Sequence, residues 1–496
     1  MRRTNAIGSG CAAMWVAMAL VGCAVGPDYK PAKPALPPGW TGQAPAPASR
    51  PASRPAGETG DLVRWWKAFN DPALTKLIER AFAANLDLKA AEARIRQARA
   101  VRVGAGSALW PAADASGSYS RGRPAGANAL TSNLYRTGLD AAWEIDVFGG
   151  VRRGIEAADA DVQASLEDRR AVMVTLAGEV ALAYIDLRVA QQRVAVARKN
   201  LLAQQHSAEV TALKLAGGLV GELDVANADA QVATTASTIP TLEALVQQTI
   251  YTLSILLAQP PGAMVGELSS AGAVPAPSPA VPVGVPSDLL RRRPDIRKAE
   301  AAVHGATARI GVATAEMFPK FSISGSIGYS SNLFDTWTHW ANRFWSWGPS
   351  ATWRVFDAGA IQADIDAKKA LQEQSVVAYQ QTVLTALQDV ENALVAASKE
   401  QERRTMIETA VAANAKAVAI STRLYQLGGQ TDFIRVLDAQ RGLLSAEDAL
   451  VQNGGAIATD LVALYKALGG GWADEPAPPV VALAPKPAAK APAKAK

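Results

Sequence analysis

MVTLAGEVALAYIDLRVAQQRVAVARKNL, residues 173–201, decides the fold. Met173, Val180, Leu187, Val194 and Leu201 recur at every seventh position. Leu176, Ala183, Ala190 and Ala197 form a second file three residues on. Files at alternating spacings of three and four are the seam of a coiled coil, and a strict heptad predicts left-handed supercoiling. The stretch continues without a proline from Gly150 to Leu215. A helix over it measures about 100 Å. Gly217-Gly218 stops it, since glycine takes the left-handed conformation that closes a helix. Glu222 to Ala258 then reads as a shorter helix turning back, which Pro240 is expected to kink or divide.

The chain then repeats itself. Ile361 to Leu427 is again free of proline, and Val376, Val383, Val390, Ala397, Val411 and Val418 keep the heptad, with Arg404 interrupting. Gly428-Gly429 ends this run, and Thr431 to Leu468 reads as the second returning helix. Upstream, Ala91-Glu92-Ala93 recurs as Ala299-Glu300-Ala301, and Trp110-Pro111 as Phe318-Pro319. Ser116-Gly117-Ser118 recurs as Ser324-Gly325-Ser326, and Val147-Phe148 as Val355-Phe356, all at one offset of 208. A constant offset across four matches points to a duplicated unit.

Asp71-Pro72 reads as a helix start, with Asp as cap and Pro at the first helical position. Two helices are expected from there to about Leu109. The period then changes from 3.6 to 2. Tyr135, Leu139, Ala141, Trp143, Ile145 and Val147 alternate with mostly polar neighbours. In the second copy Phe321, Ile323, Ile327 and Tyr329 do so, and then Trp345, Trp347, Ala351, Trp353 and Val355. Strands of about ten residues with Trp and Tyr at their ends suit a membrane barrel. Asp140, Glu144 and Asp146 are then expected on a solvated pore face. Each copy offers one hairpin, so the chain supplies four strands. Lipid accepts no open sheet edge, so such a chain must oligomerise.

Charged residues are 19% and hydrophobic ones 49% of the chain, near the globular average. Net charge is +5, with much of the excess in the two termini, so it gives no argument for nucleic acid. Arg2 and Arg3 precede an apolar run from Cys11 to Val21 that is too short to span a bilayer and reads as a signal peptide. Leu20-Val21-Gly22-Cys23 resembles the lipobox of bacterial lipoproteins, which implies acylation of Cys23. Ala24 in place of Asp favours outer-membrane sorting by the same resemblance. Removal of Cys11 and acylation of Cys23 leave no free thiol and no disulfide.

Cys23-Ala24-Val25-Gly26-Pro27-Asp28-Tyr29-Lys30-Pro31 resembles the mature amino terminus of TolC-like outer-membrane efflux lipoproteins of the NodT type. The resemblance continues in Trp65 to Pro72 (WWKAFNDP) and Asn85-Leu86-Asp87-Leu88. It is most specific in Pro286 to Ile296 (PSDLLRRRPDI), and it covers Cys23 to about Trp472. It implies an α+β membrane protein: long antiparallel coiled-coil helices forming an α-barrel, plus four strands per chain of a homotrimeric, twelve-stranded transmembrane β-barrel. The expected divisions are a lipoprotein signal peptide (1–22), a lipidated linker (23–60), a first efflux repeat (61–270), a linker (271–285), a second repeat (286–472) and a disordered Pro/Ala/Lys tail (473–496).

The implied function is the exit duct of a tripartite efflux system. Its partners would be a periplasmic adaptor (membrane fusion protein), a proton-driven inner-membrane transporter, and outer-membrane lipid through Cys23. The duct of a type I protein-secretion system is the alternative in the same fold, and a lipid-anchored periplasmic coiled-coil scaffold the alternative outside it. The turns at Gly217, Gly218, Gly428 and Gly429 mark the far tips and the expected adaptor contact. Ile434 and Asp438, one turn apart beyond the second tip, resemble the family segment that narrows the periplasmic mouth. The matching positions in the first copy are Leu223 and Asn227. Arg435 departs from relatives that carry a second acid there. The competing role for Asp438 is a surface pair with Arg435 or Arg441. His206, His304 and His339 have no metal-ligand spacing, no phosphate loop or GxSxG motif occurs, and neither a cofactor nor an active site is expected.

Overall fold

A computed structural model describes residues 24–31, 34, 36–41, 60–123, 125, 130–275, 285–427 and 432–473. Helix α1 (Pro72–Ala84) begins at the expected cap: the Asp71 carboxylate accepts from the N–H groups of Ala73 and Leu74 at 2.8 and 3.1 Å. Such a cap stabilises a helix by about 1 kcal/mol. Helix α2 (Leu86–Ser107) follows at once. Asn85 caps it and donates its amide to the Leu256 carbonyl at 3.0 Å.

Strands β1 (Ala112–Gly122) and β2 (Ser132–Ile145) form the first hairpin. Helices α3 (Gly150–Ala216) and α4 (Glu222–Leu256) form the first helical hairpin. A short α5 (Pro286–Arg292) and α6 (Pro294–Ala315) then open the second half. Strands β3 (Lys320–Ser331) and β4 (Arg343–Thr352) precede α7 (Ala360–Gln426) and α8 (Phe433–Ala467). The strands make one antiparallel sheet in the order β1-β2-β3-β4, with β2 against β3 joining the halves. Pro240 does not divide α4, which runs through it. The proline itself is exposed. The Ser237 and Thr238 hydroxyls bond back to the carbonyls of Thr234 and Thr235 in the turn before it.

Helices α3 and α7 are each 67 residues long, about 100 Å from the sheet to their far ends. Within α3 the heptad files are buried as predicted: Val180 and Leu187 completely, Leu176, Ala183, Ala190, Val194 and Ala197 nearly so. That helix packs on α2, α4, α6 and α8. Helix α7 is different. It buries 7 residues where α3 buries 23, and leaves Leu384, Met406 and Ile420 exposed along one chain. Two helices of equal length and like pattern thus differ threefold in burial, so α7 has a surface that the described residues do not cover.

The main core belts the middle of α3. Tyr184, about 50 Å from the start of that helix, donates to Asp71 at 2.8 Å. Burial, with that acceptor, pushes its hydroxyl up to about 12. Trp65 stacks on Tyr465 at 5.3 Å in the same cluster. Arg293, from the Arg-rich motif, is nearly buried; it pairs with Asp295 at 2.7 Å and Asp389 at 3.0 Å and donates to the Ala467 carbonyl. The motif thus ties α6 to α7 and the end of α8, in agreement with a structural reading of its charges.

The amino-terminal segment departs from the expectation of a linker with little core. Extended, proline-rich chain cannot build a core, but it docks on one. Tyr29 and Leu36 pack against the main cluster, Trp40 belongs to it, and the Thr41 N–H donates to Glu391 at 2.8 Å.

Candidate functional site

Alternation along the strands sorts the sheet into two faces. On one, Leu139 pairs with Ile327 and Ile327 with Trp345, while Ala141 pairs with Gly325 and Gly325 with Trp347. Trp345 and Trp347 are 67% and 74% exposed. At the inner ends of the strands, the Trp143 and Trp353 indoles donate to the carbonyls of Leu109 and Met317, each at 3.0 Å. Amphipathic rings anchored by their indole N–H at the strand ends suit a membrane boundary.

The opposite face is polar. Asp114 pairs with Asp140, Asp140 with Ser326, and Ser326 with Ser346. Ser116 donates to Asp140, and the Ser322–Ser350 and Ser326–Ser346 hydroxyls meet at 2.8 Å. Phe344 lies across Gly138 and Gly328, where a Cβ would come within 3.3 and 2.9 Å of its ring. The Arg136 guanidinium covers that ring at 4.5 Å. Glu144 shares this face, but Asp146 does not. It lies beyond β2 and caps α3, accepting from the N–H groups of Val151 and Arg152 at 3.0 and 2.9 Å. Asp357 does the same for α7 through Gly359 and Ile361.

At the far end, Gly217 and Gly218 close α3. Gly217 N–H donates to the Leu213 carbonyl and Leu219 N–H to that of Lys214, with Gly218 at φ +68°. No atom lies within 4 Å of a Cβ built at Gly218, so the turn presents open space. Gly428 and Gly429 lie outside the described residues. Cross-links missed by sequence reasoning join the two hairpins just above this end. Tyr425 donates to Thr211 at 3.2 Å, and Lys214 covers the Tyr425 ring and donates to its carbonyl. Gln440 donates to Ser207 at 2.8 Å and Arg441 to Gln231 at 2.6 Å. Phe433, Val436 and Leu437 fill the space between them. These partners stand more than 200 residues apart in sequence, so no local pattern signals them.

Burial of Phe433, Val436, Leu437 and Gln440 turns the other face of α8 outward, and Ile434 and Asp438 share it. The Asp438 carboxylate meets Arg441 only at the 4.0 Å limit of an ion pair. Arg441 is spent on Gln231, and no described contact joins Asp438 to Arg435. Leu223 is exposed and Asn227 half-buried on α4.

Cys23 lies outside the described residues, but the next residue is held at the sheet end of α3. Val25 N–H donates to the Phe148 carbonyl at 3.0 Å, and Ala24 closes on Gly149, where a Cβ would meet it at 2.6 Å. Arg153, almost fully buried, donates to the Val25 and Gly26 carbonyls and pairs with Asp28 at 2.6 Å and Glu156 at 2.8 Å. Tyr29 stacks on His304 at 4.5 Å and donates to Glu300. Burial opposes ionisation of Glu156, yet hydrogen bonds from Arg153 and His304 outweigh it and hold its carboxyl below the usual range.

A sequence model described as outer membrane efflux protein matches residues 77–259 and 285–470. Nodulation protein T of Rhizobium leguminosarum bv. trifolii is 34% identical over 457 residues, covering 91% of this chain and 95% of that protein. The pyoverdine export outer membrane protein OpmQ of Pseudomonas aeruginosa is 33% identical over 426 residues, 84% of this chain and 89% of its own. Among solved structures, the outer-membrane channel OprN superposes with a TM-score of 0.83 at 38% identity, over 91% of this chain and all of that one.

Proposed function

Because this chain belongs to the outer membrane efflux protein family, we propose that three copies close one duct, with a β-barrel in the outer membrane and an α-helical tunnel in the periplasm. The chain is an outer-membrane efflux channel protein, and the proposal concerns how its parts make one. The observation that carries it is the four-stranded sheet, open at β1 and β4, with an apolar face outward and a polar face behind. Open edges are inadmissible in lipid, so β1 must pair with β4 of the partner subunit until the ring closes. Three chains supply twelve strands, and the uncovered surface of α7 supports the same closure below the membrane.

The duct's work is passage. Its barrel wall offers serine hydroxyls and three carboxylates, Asp114, Asp140 and Glu144, against two cations, Arg136 and Lys320, so its lumen is net acidic and favours cations. At the periplasmic mouth, three Asp438 carboxylates and three Ile434 side chains around one axis would form a charged and an apolar constriction, with Leu223 and Asn227 on the alternating helices. The tips at Gly217-Gly218 and Gly428-Gly429 would seat a periplasmic adaptor, and a proton-driven inner-membrane transporter would supply cargo and energy. Ala24 is held at the sheet end of α3, so an acylated Cys23 beside it would lie near the inner leaflet. Two or three acyl chains there make a stable anchor where one does not.

Native mass spectrometry of the protein released from detergent tests the closure. Trimers are the expected species. A stable monomer that still inserts in lipid would overturn both the barrel and its strand count.

A further inference from the structure

We propose that the outer rim of the barrel binds a phosphorylated sugar headgroup of an outer-leaflet glycolipid, through Arg121, Arg343 and the aromatic rings beside them. The argument begins with where the sheet keeps its charges. On the strands, Asp114, Arg136, Asp140, Glu144 and Lys320 all fall on the polar face. The apolar face carries two charged side chains, Arg121 and Arg343, and both are arginine. Both also lie at the same end: Arg121 is one residue from the end of β1, and Arg343 opens β4. That end is the one away from the helices, hence the extracellular one. Among the described residues neither guanidinium meets a carboxylate. Asp335, in the loop between β3 and β4, is the acid nearest in sequence to Arg343.

An arginine facing lipid at a membrane boundary is costly unless its charge reaches water or an anion. These two are also brought toward each other. In the closed trimer β1 lies beside β4 of the partner subunit, so Arg121 and Arg343 of the partner subunit share one seam. Like charges at a strand seam repel, and an anion between them converts the repulsion into binding. Guanidinium matches phosphate with two parallel N–H donors. Arg343 is already oriented, stacked on Trp340 at 4.4 Å and donating to its carbonyl at 2.9 Å. The sugar is read from the rings. Tyr119, Trp340 and Trp345 are exposed around the two arginines, at 56%, 71% and 67%, with Tyr119 packed on Tyr135 and Trp340 under Arg343. Flat aromatic faces beside a cationic pair suit a pyranose carrying phosphate better than a flexible glycerol headgroup.

This rests on the trimeric reading above, and the experiment separates the two. Native mass spectra of the detergent-purified full chain are recorded with three added lipids: a diphosphorylated glycolipid, the same glycolipid stripped of phosphate, and phosphatidylglycerol. The trimer should retain the diphosphorylated glycolipid at least about tenfold more tightly than either other lipid. The double variant Arg121→Gln, Arg343→Gln should fall to the level of the stripped lipid while its trimer mass persists. Arg136→Gln, which removes the same charge from the opposite face, should retain lipid like the parent. Equal retention of the stripped glycolipid or of phosphatidylglycerol, or undiminished binding by the double variant, overturns the proposal. Monomers alone would remove the seam by removing the trimer, which the same spectrum shows directly.

Discussion

The role proposed for Asp438 rests on what its neighbours leave undone. Its helix buries Phe433, Val436 and Leu437, its candidate partner Arg441 turns to Gln231, and the carboxylate is left on an open face with Ile434. A surface ion pair at such distance and exposure contributes little, so pairing does not account for the residue. Replacing both Asp438 and Ile434 with alanine is expected to raise single-channel conductance, by about twofold or more, and to weaken block by divalent cations through loss of three converging charges. Unchanged conductance and block in trimeric protein would place the constriction elsewhere. Ile434 and Asp438 were singled out through the resemblance of their segment to that of the family, and their one-turn spacing puts them on one face. The Lys214–Tyr425 and Arg441–Gln231 links were not legible, because each joins residues from different repeats and depends on how the hairpins pack.

Among the elements, the long helices were the most legible and the strap the least. A heptad of Val, Leu and Ala from Met173 to Leu201, inside a longer proline-free run, predicts a long coiled-coil helix, and α3 buries that seam except at its two ends. Strand β1 was visible only through the Ser116-Gly117-Ser118 match, since its small residues give a weak period-2 signal. Pro240 costs α4 one internal hydrogen bond without dividing it, so of the kink or division expected the division does not occur. The strap was read from composition, but its docking is written in Arg153, His304 and Gly311, residues of other elements. At the tips, Gly218 separates two demands. Its φ of +68° strains any side chain by about 1 kcal/mol, asparagine least, while the space around it is empty. Gly218→Asn should therefore keep adaptor crosslinking, and Gly218→Trp should reduce it at least about tenfold with trimers intact. Equal crosslinking by both variants would make the tip a turn and nothing more.

For the whole molecule, one chain is an incomplete object. Among the described residues its sheet has two open edges, its α7 buries a third as many residues as α3, and Ile434 and Asp438 are exposed. The proposed ring of copies would meet all three, and no contact among the described residues does. The duplicated sequence made the four strands and four long helices countable, whereas the number of copies came from family resemblance, because strand count alone demands closure without fixing its order. The measurement that bears most directly on the account is current through a planar bilayer after insertion of purified trimers. The account predicts discrete, long-lived conductance steps with cations modestly favoured over anions, since Asp114, Asp140 and Glu144 outnumber Arg136 and Lys320 on the polar face. Trimers that insert stably and pass no current, or that favour anions, would contradict it.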